Sequence, residues 1–379
     1  MNFAFEPEHE EFRKTVRKFA EEVIAPVIQE FDEREEFPVD IVRQMGSMGL
    51  FGLPFPERYG GSDSDFISVC IAVEELARID SSMAATLEAG LGLGAMPIHM
   101  FGTEEQKLRW LVPLARGESL AAFGLTEPEA GSDSHGLRTR AVLKGGEWVI
   151  NGTKAFITNS GTPMSLFATI AAVTGEGPQI SNLIVPNGTP GFKVGSGYRK
   201  IGWHSSDTHE LIFDDCRVPE ENLLGDLGAG HRNFLAVLDG GRVAIGALAV
   251  GLAQGCVEHS VAYAKERRTF GKRLADHQAV AFKLADMATQ TDVARLAVYR
   301  AAWMKDQGMP FKKEASMAKL FASEMAVQAA RDAVQIHGGY GYVSESPVSR
   351  FYRDSKILEI GEGTSEVQRM LIARELIGP

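Results

Sequence analysis

Three cysteines in 379 residues, Cys70, Cys216 and Cys256, are too few and too scattered to build a disulfide framework, and no Cys-x-x-Cys pair offers a structural zinc site. Isolated thiols suit a reducing cytosol, so the expected location is cytoplasmic. Basic charge is also in deficit, with 39 Lys and Arg against 50 Asp and Glu and a net charge of -11. That balance argues against nucleic acid or an anionic membrane as a bulk partner. No apolar run approaches the roughly 20 residues of a membrane span. The first residues, Met1 to Glu8, have neither the basic nor the apolar region of a leader. There is no Gly-x-Gly-x-x-Gly after a strand, no P-loop, no His-Glu-x-x-His and no metal-spaced cluster. These absences exclude the common metal signatures and argue against a nicotinamide-binding Rossmann domain.

What is present is a chain with 44% apolar residues, long enough for about two to three domains. Residues 7–118 read as helical, with Phe12, Val16, Phe19, Val23 and Val27 at three-to-four spacing, and a small-residue segment follows at 84–96. The texture changes near Ala121. Short strands are predicted at 147–150, 153–158, 165–173, 182–186, 192–194 and 210–213, with Asn151-Gly152 as a hairpin signal, so this block reads as a small barrel or sandwich. Beyond Gly225 long alanine-rich helices return at 231–267, 276–306 and 311–337, followed by 347–359 and 364–376. The expectation is an α+β chain of three domains, 1–121, 122–225 and 226–379.

Several segments carry polar groups in patterns with two readings each. Glu362 lies between Gly361 and Gly363, which is either a solvated turn or a carboxylate presented at a sharp bend as a general base. The stretch 126–133 is either a linker or a set of hydroxyls and amides for a polar ligand. Phe156 and Thr158 stand two apart on a strand, which suits a flat ring or a plain core position. Asp239 and Arg242 share a helical face, as a local ion pair or a ligand contact. Arg267, Arg268, Phe270, Lys272 and Arg273 form a basic link ahead of His277 and Gln278, where phosphates or helix ends are the alternatives. Gly338 and Gly339 follow a helix and read as its cap.

Taken together and in this order, the segments around Thr126-Glu127-Pro128, Phe156-Ile157-Thr158-Asn159, 267–278, 335–339 and Glu362-Gly363-Thr364 resemble the acyl-CoA dehydrogenase family over essentially the whole chain. The resemblance implies an α-helical N-terminal domain, a middle antiparallel β-barrel and a C-terminal four-helix bundle, assembled as a homotetramer with FAD at its junctions. By that likeness Phe123, Leu125, Thr126, Gly131, Ser132, Phe156, Ile157 and Thr158 contact the flavin and ribityl chain. Arg267, Phe270, His277, Gln278, Gln335, Gly338 and Gly339 hold the adenosine diphosphate portion, partly across a subunit interface. Thr364 and Glu366 complete the FAD site. Ser132, Asp239, Arg242 and Gly363 contact acyl-CoA. The implied reaction is α,β-dehydrogenation of the thioester to the trans-2-enoyl-CoA, with Glu362 as α-proton base, hydride transfer to flavin N5, and electrons passed to an electron-transferring flavoprotein.

Some members of the family place the base just before the arginine that is here Arg242; that position is Gly241, which favours Glu362. Phe156 stands where many relatives have tryptophan, and Gly361 where many straight-chain enzymes have tyrosine. The latter implies a wider pocket and branched or bulky short-chain acyl groups. Ala84 replaces the arginine expected for a dicarboxylate substrate. Glu88 is either the pocket floor or an exposed helix residue. The rival readings are an acyl-CoA oxidase or flavin monooxygenase on the same fold, and a non-catalytic acyl-CoA-binding flavoprotein.

Overall fold

The computed structural model describes residues 4–175 and 179–378, so the first three residues read for a leader and the last of the C-terminal domain lie outside it. Eight helices build the first part: α1 (Pro7–Phe19), α2 (Ile28–Arg34), α3 (Val39–Ser47), α4 (Phe66–Ala77), α5 (Ser81–Glu88), α6 (Met96–Phe101), α7 (Glu104–Gln106) and α8 (Val112–Ala115). The apolar residues at three-to-four spacing put Val16 and Phe19 of α1 in the core, where they pack with α4. Asp65 and Asp80 cap α4 and α5 by accepting from the Ser68 and Met83 amides. The glycine-rich stretch after α5 is a π-helix, Ala89–Ala95, whose wider turn breaks the regular helix immediately after Glu88.

Strands β1 (Leu120–Gly124), β2 (Arg140–Lys144), β3 (Glu147–Thr158), β4 (Ser165–Val173), β5 (Ile180–Pro186), β6 (Phe192–Gly197), β7 (Thr208–Pro219) and β8 (Leu223–Leu224) form one sheet in the order β6-β7-β3-β2-β4-β5-β8, with β1 beside β4. The pairings are antiparallel except β1 with β4 and β2 with β4, so the sheet is not antiparallel throughout. Trp148, Ile150, Ile170, Leu183, Leu211 and Phe213 share one core inside it.

The expected hairpin at Asn151-Gly152 does not form. Residues Glu147–Thr158 are one continuous strand paired along β7, and the turn lies earlier, at Gly145 and Gly146, both with positive φ, where Lys144 faces Glu147. Asn151 instead exchanges bonds with Asp215 on β7, its Nδ2 donating at 3.0 Å and its Oδ1 accepting from the Asp215 amide at 2.8 Å. The glycine marks a bulge, a second meaning of the same signal.

The C-terminal part contains α9 (Gly230–Glu266), two short strands β9 (Arg268–Thr269) and β10 (Lys272–Arg273), then α10 (Gln278–Asp306), α11 (Lys312–His337), α12 (Pro347–Ser355) and α13 (Ser365–Ile377). Contrary to the expectation of no membrane-length apolar run, α9 is long and apolar enough to cross a membrane by length and composition; its apolar window is 78% buried, as in the central helix of a bundle.

A buried polar knot ties the parts together ahead of the Glu362 turn. Asp354 on α12 accepts from the Trp203 amide and from the Ser81 hydroxyl, both at 2.7 Å, while the Trp203 indole donates to the same hydroxyl at 3.1 Å. Beside it, Arg350 lies 3.2 Å from Asp80, and Arg353 lies 2.5 Å from Asp32. Asp354→Ala would orphan two buried donors at a cost of about 1–3 kcal/mol each. The expected result is a clear fall in the thermal unfolding midpoint, with Asp354→Asn recovering part of the loss; an unchanged midpoint in Asp354→Ala would contradict this role.

Candidate active site

The Glu362 turn is built from two consecutive residues in left-handed conformation, Glu362 at φ 52 and Gly363 at φ 96. For Gly363 that conformation is free of Cβ strain; for Glu362 it is strained and must be held by its surroundings. The holding groups are visible. Gln368 on α13 donates through Nε2 to the Glu362 carbonyl at 3.2 Å and to the Gly363 carbonyl at 3.0 Å, and Lys319 on α11 donates to the Gly363 carbonyl at 2.8 Å. Thr364 caps α13 by accepting from the Val367 amide. With both carbonyls engaged, the Glu362 and Gly363 amides donate to no group among the described residues.

Part of Glu362 reaches solvent, but its Oε2 is buried and makes no hydrogen bond. Glu88, at the end of α5, is 2% exposed, and its Oε1 is likewise buried and unpartnered. Both oxygens face one point on α9: a Cβ added at Gly241 would lie 2.2 Å from Glu362 Oε2 and 3.4 Å from Glu88 Oε1. A side chain at position 241 and the carboxyl of Glu362 therefore exclude each other. The two orphaned carboxyls partner each other once one of them keeps its proton. Burial, then the charge of Glu362, pushes the Glu88 carboxyl well above the usual range. Burial raises Glu362 too, but the bond from Glu88 and the positive charges of Lys319 and Arg242 oppose the rise. Both carboxyls are thus raised, Glu88 the more strongly, because the cations near Glu362 offset part of its burial. The choice left open for Glu88 falls to a buried position beside Glu362.

The remaining candidates fall into three groups. Phe123 on β1 stacks on Phe234, their centroids 3.9 Å apart, while Leu125 and Thr126 offer carbonyls that accept from the Lys154 ammonium and the Ala155 amide. Gly131 and Ser132 are exposed. Phe156 is 64% exposed, stacks on Tyr198 and has a positive φ at a bulge, so it and Thr158 do not follow simple strand alternation. Ile157 points into the sheet core, leaving only its backbone for a ligand, and Thr158 is half-buried.

The second group surrounds a cleft of about 490 Å³ lined by Arg267, Gly338, Gly339, Tyr263, His337 and Tyr340 among others. Phe270, His277, Gln278 and Gln335 do not line it; Phe270 is 93% exposed and edges against His277, and Gln278 and Gln335 are exposed. The Arg267 guanidinium lies over the Tyr340 ring and forms no ion pair among the described residues. In the third group, Arg242 donates to Asp239 beside the Glu362 pocket, and Glu366 is exposed in the first turn of α13. Ala84 is fully buried in the core.

Family models match most of the chain: the acyl-CoA dehydrogenase N-terminal domain over residues 6–118, the middle domain over 122–216 and the C-terminal domain over 228–377. The chain belongs to the acyl-CoA dehydrogenase family. It is 51% identical to a probable acyl-CoA dehydrogenase of Bacillus subtilis, with all of both chains covered. The butyryl-CoA dehydrogenase of Megasphaera elsdenii superposes with a TM-score of 0.96 at 42% identity, again over all of both chains. A chain solved with the electron transferring flavoprotein of Acidaminococcus fermentans gives 0.97 at 43%, covering 100% of each. An acyl-CoA dehydrogenase of Bacillus anthracis complexed with FAD gives 0.94 at 36%, covering 98% of this chain and 67% of that one.

The acyl-CoA dehydrogenase resemblance did not single out Lys319 or Gln368. Lys319 had a signal: it is a lone lysine among Ala315, Ser316, Ala318 and Ala322, all fully buried, a setting in which a lysine needs a partner. Gln368 had none, because a glutamine four residues past a helix cap is ordinary. The shared proton is open to a direct check. An infrared difference between wild type and Glu88→Gln at neutral pH is expected to contain a protonated-carboxyl stretch that shifts in D2O; its absence would mean that Glu88 is ionised.

Proposed function

We propose that this acyl-CoA dehydrogenase family member oxidises a short-chain acyl-CoA to the trans-2-enoyl-CoA, with Glu362 removing the α-proton. The observation that carries the reading is the buried Oε2 of Glu362, which faces the same point as the buried Oε1 of Glu88 in a turn whose backbone amides are unengaged. A thioester α-proton is weakly acidic, so its removal needs a base of raised pKa and a donor for the developing enolate oxygen. Burial raises Glu362 toward that range. The unengaged amides of Glu362 and Gly363 are donors for the thioester oxygen. Asp239, Arg242 and Ser132, with Gly363, contact the acyl-CoA. Short-chain substrates are supported by the likeness to a butyryl-CoA dehydrogenase and by Glu88, whose buried carboxyl occupies space next to the base.

The residues present fit FAD. An unpaired Arg267 suits a diphosphate, and an added Cβ at Gly131, Gly338 or Gly339 would meet nothing within 4 Å, so these backbones are open to a ligand. Phe156 presents an exposed ring, and the segments 123–132 and 156–158 would contact the flavin and ribityl chain, a reading supported by the bonds that tie Leu125 and Thr126 to Lys154 and Ala155. Arg267, Gly338 and Gly339 at the cleft and Phe270, His277, Gln278 and Gln335 outside it would hold the adenosine diphosphate portion partly across a subunit interface, and Thr364 and Glu366 would complete the site. When bound, FAD supplies the acceptor for the β-hydride.

The assembly is a homotetramer, supported by large apolar side chains left exposed on the outer faces of α10 and α11, among them Phe282, Leu296, Trp303 and Phe321. The electron acceptor is an electron-transferring flavoprotein, supported by the likeness to the chain from Acidaminococcus fermentans, and the location is cytoplasmic.

The test is anaerobic titration of the flavin-loaded protein with butyryl-CoA and branched and longer acyl-CoAs, following the loss of flavin absorbance. Glu362→Gln should slow that loss by about 10²-fold or more. Bleaching at the wild-type rate in the variant would overturn the assignment, and sustained turnover with oxygen as sole acceptor would favour the oxidase reading.

A further inference from the structure

Lys319 is the buried charge that the reaction above leaves without a task. It is fully buried in α11 among alanines and serines, a position where an ammonium carries a heavy desolvation cost unless something holds it there. Among the described residues its ammonium makes one hydrogen bond, to the carbonyl of Gly363, the residue after Glu362, and no ion pair within 4.0 Å, yet its charge acts on Glu362 and lowers that carboxyl. The groups facing it are Glu362 in the turn, Arg242 on α9, Glu359 in the short turn after α12 and Glu324 on its own helix.

We propose that Lys319 is a positioning residue for the base: through the Gly363 carbonyl it holds the left-handed bend that frees the Glu362 amide, and it supplies the positive charge facing the Glu362 carboxylate. Gln368 shares the first task, since it bonds both carbonyls, but as a neutral amide it cannot share the second. Arg242 is neutralised in part by Asp239, which leaves Lys319 as the less compensated cation near the carboxylate. The ammonium itself is pushed down to about 8 by burial, so below that pH it is charged while Glu362 titrates.

This proposal rests on the reading of Glu362 as the base. A carboxylate base acts only when ionised, and removing a cation that favours its ionised form raises its pKa. The acid limb of kcat/KM against pH should therefore move to higher pH. Lys319→Gln keeps a donor near the Gly363 carbonyl and removes the charge, while Lys319→Met removes both. In the flavin-loaded enzyme with butyryl-CoA, Lys319→Gln is expected to shift the limb upward by about one pH unit with kcat above the limb within a few-fold of wild type. Lys319→Met should shift it as far and also lower kcat above the limb, because the bend loosens. The thermal unfolding midpoint of each variant, read without substrate, reports any loss of fold, and either variant that folds suffices.

Glu362→Gln is measured alongside. If it is active, the reading of Glu362 fails and this proposal fails with it. If it is inactive while the limb of the folded Lys319 variants stays at the wild-type pH, Lys319 is structural only and the proposal alone is overturned.

Discussion

Two carboxyl groups with buried oxygens turned toward the same point raise each other's cost of carrying charge, and the arrangement of this site follows from that constraint. Glu88 is almost fully inaccessible, the facing oxygen of Glu362 is buried, and neither facing oxygen has another partner. The surrounding charges act differently on the two. Lys319 and Arg242 lie on the side of Glu362 and oppose the rise that burial causes there, whereas burial and the Glu362 charge both raise Glu88. Gly241 belongs to the same constraint, since any side chain there would take the space that the two carboxyls need.

Holding that geometry requires elements from distant parts of the chain. Glu88 sits where α5 gives way to a π-helix, Gly241 is in the middle of α9, Lys319 in α11, and Glu362 in the turn that opens α13. The approach to that turn is fixed by Asp354, which joins α12 to Ser81 of the helical domain and to Trp203 in the connection between β6 and β7. The strained conformation of Glu362 is stable because its carbonyl and the next are held by Gln368 and Lys319. Backbone bonding and electrostatics thus converge on one residue, the first freeing its amide and the second setting its charge.

How much of this could be read from the residues alone depended on whether the signal was local. The long helices were legible because apolar periodicity is a property of each segment, and Glu362 was legible because glycines flank it. The Asn151-Gly152 pair misled, since the same dipeptide serves a hairpin or a bulge and only pairing along β7 decides between them. Glu88 was visible as a carboxyl in a glycine-rich segment, but its burial depends on α9 packing over it. Lys319 reaches the turn from 44 positions away, a distance no local pattern spans. For the same reason Arg267 and Gly338 come together at one cleft while Phe270, His277, Gln278 and Gln335 remain outside it within a single chain.

Removal by Glu362 of a proton from the carbon next to the thioester is best tested apart from hydride transfer. An acyl-CoA analogue with sulfur in place of the β-carbon keeps the α-protons and has no β-hydride to lose. Incubated with the enzyme in D2O, it should exchange its α-protons, at a rate that rises with pH as Glu362 ionises, and Glu362→Gln should abolish the exchange. Exchange at the wild-type rate in Glu362→Gln would contradict the account.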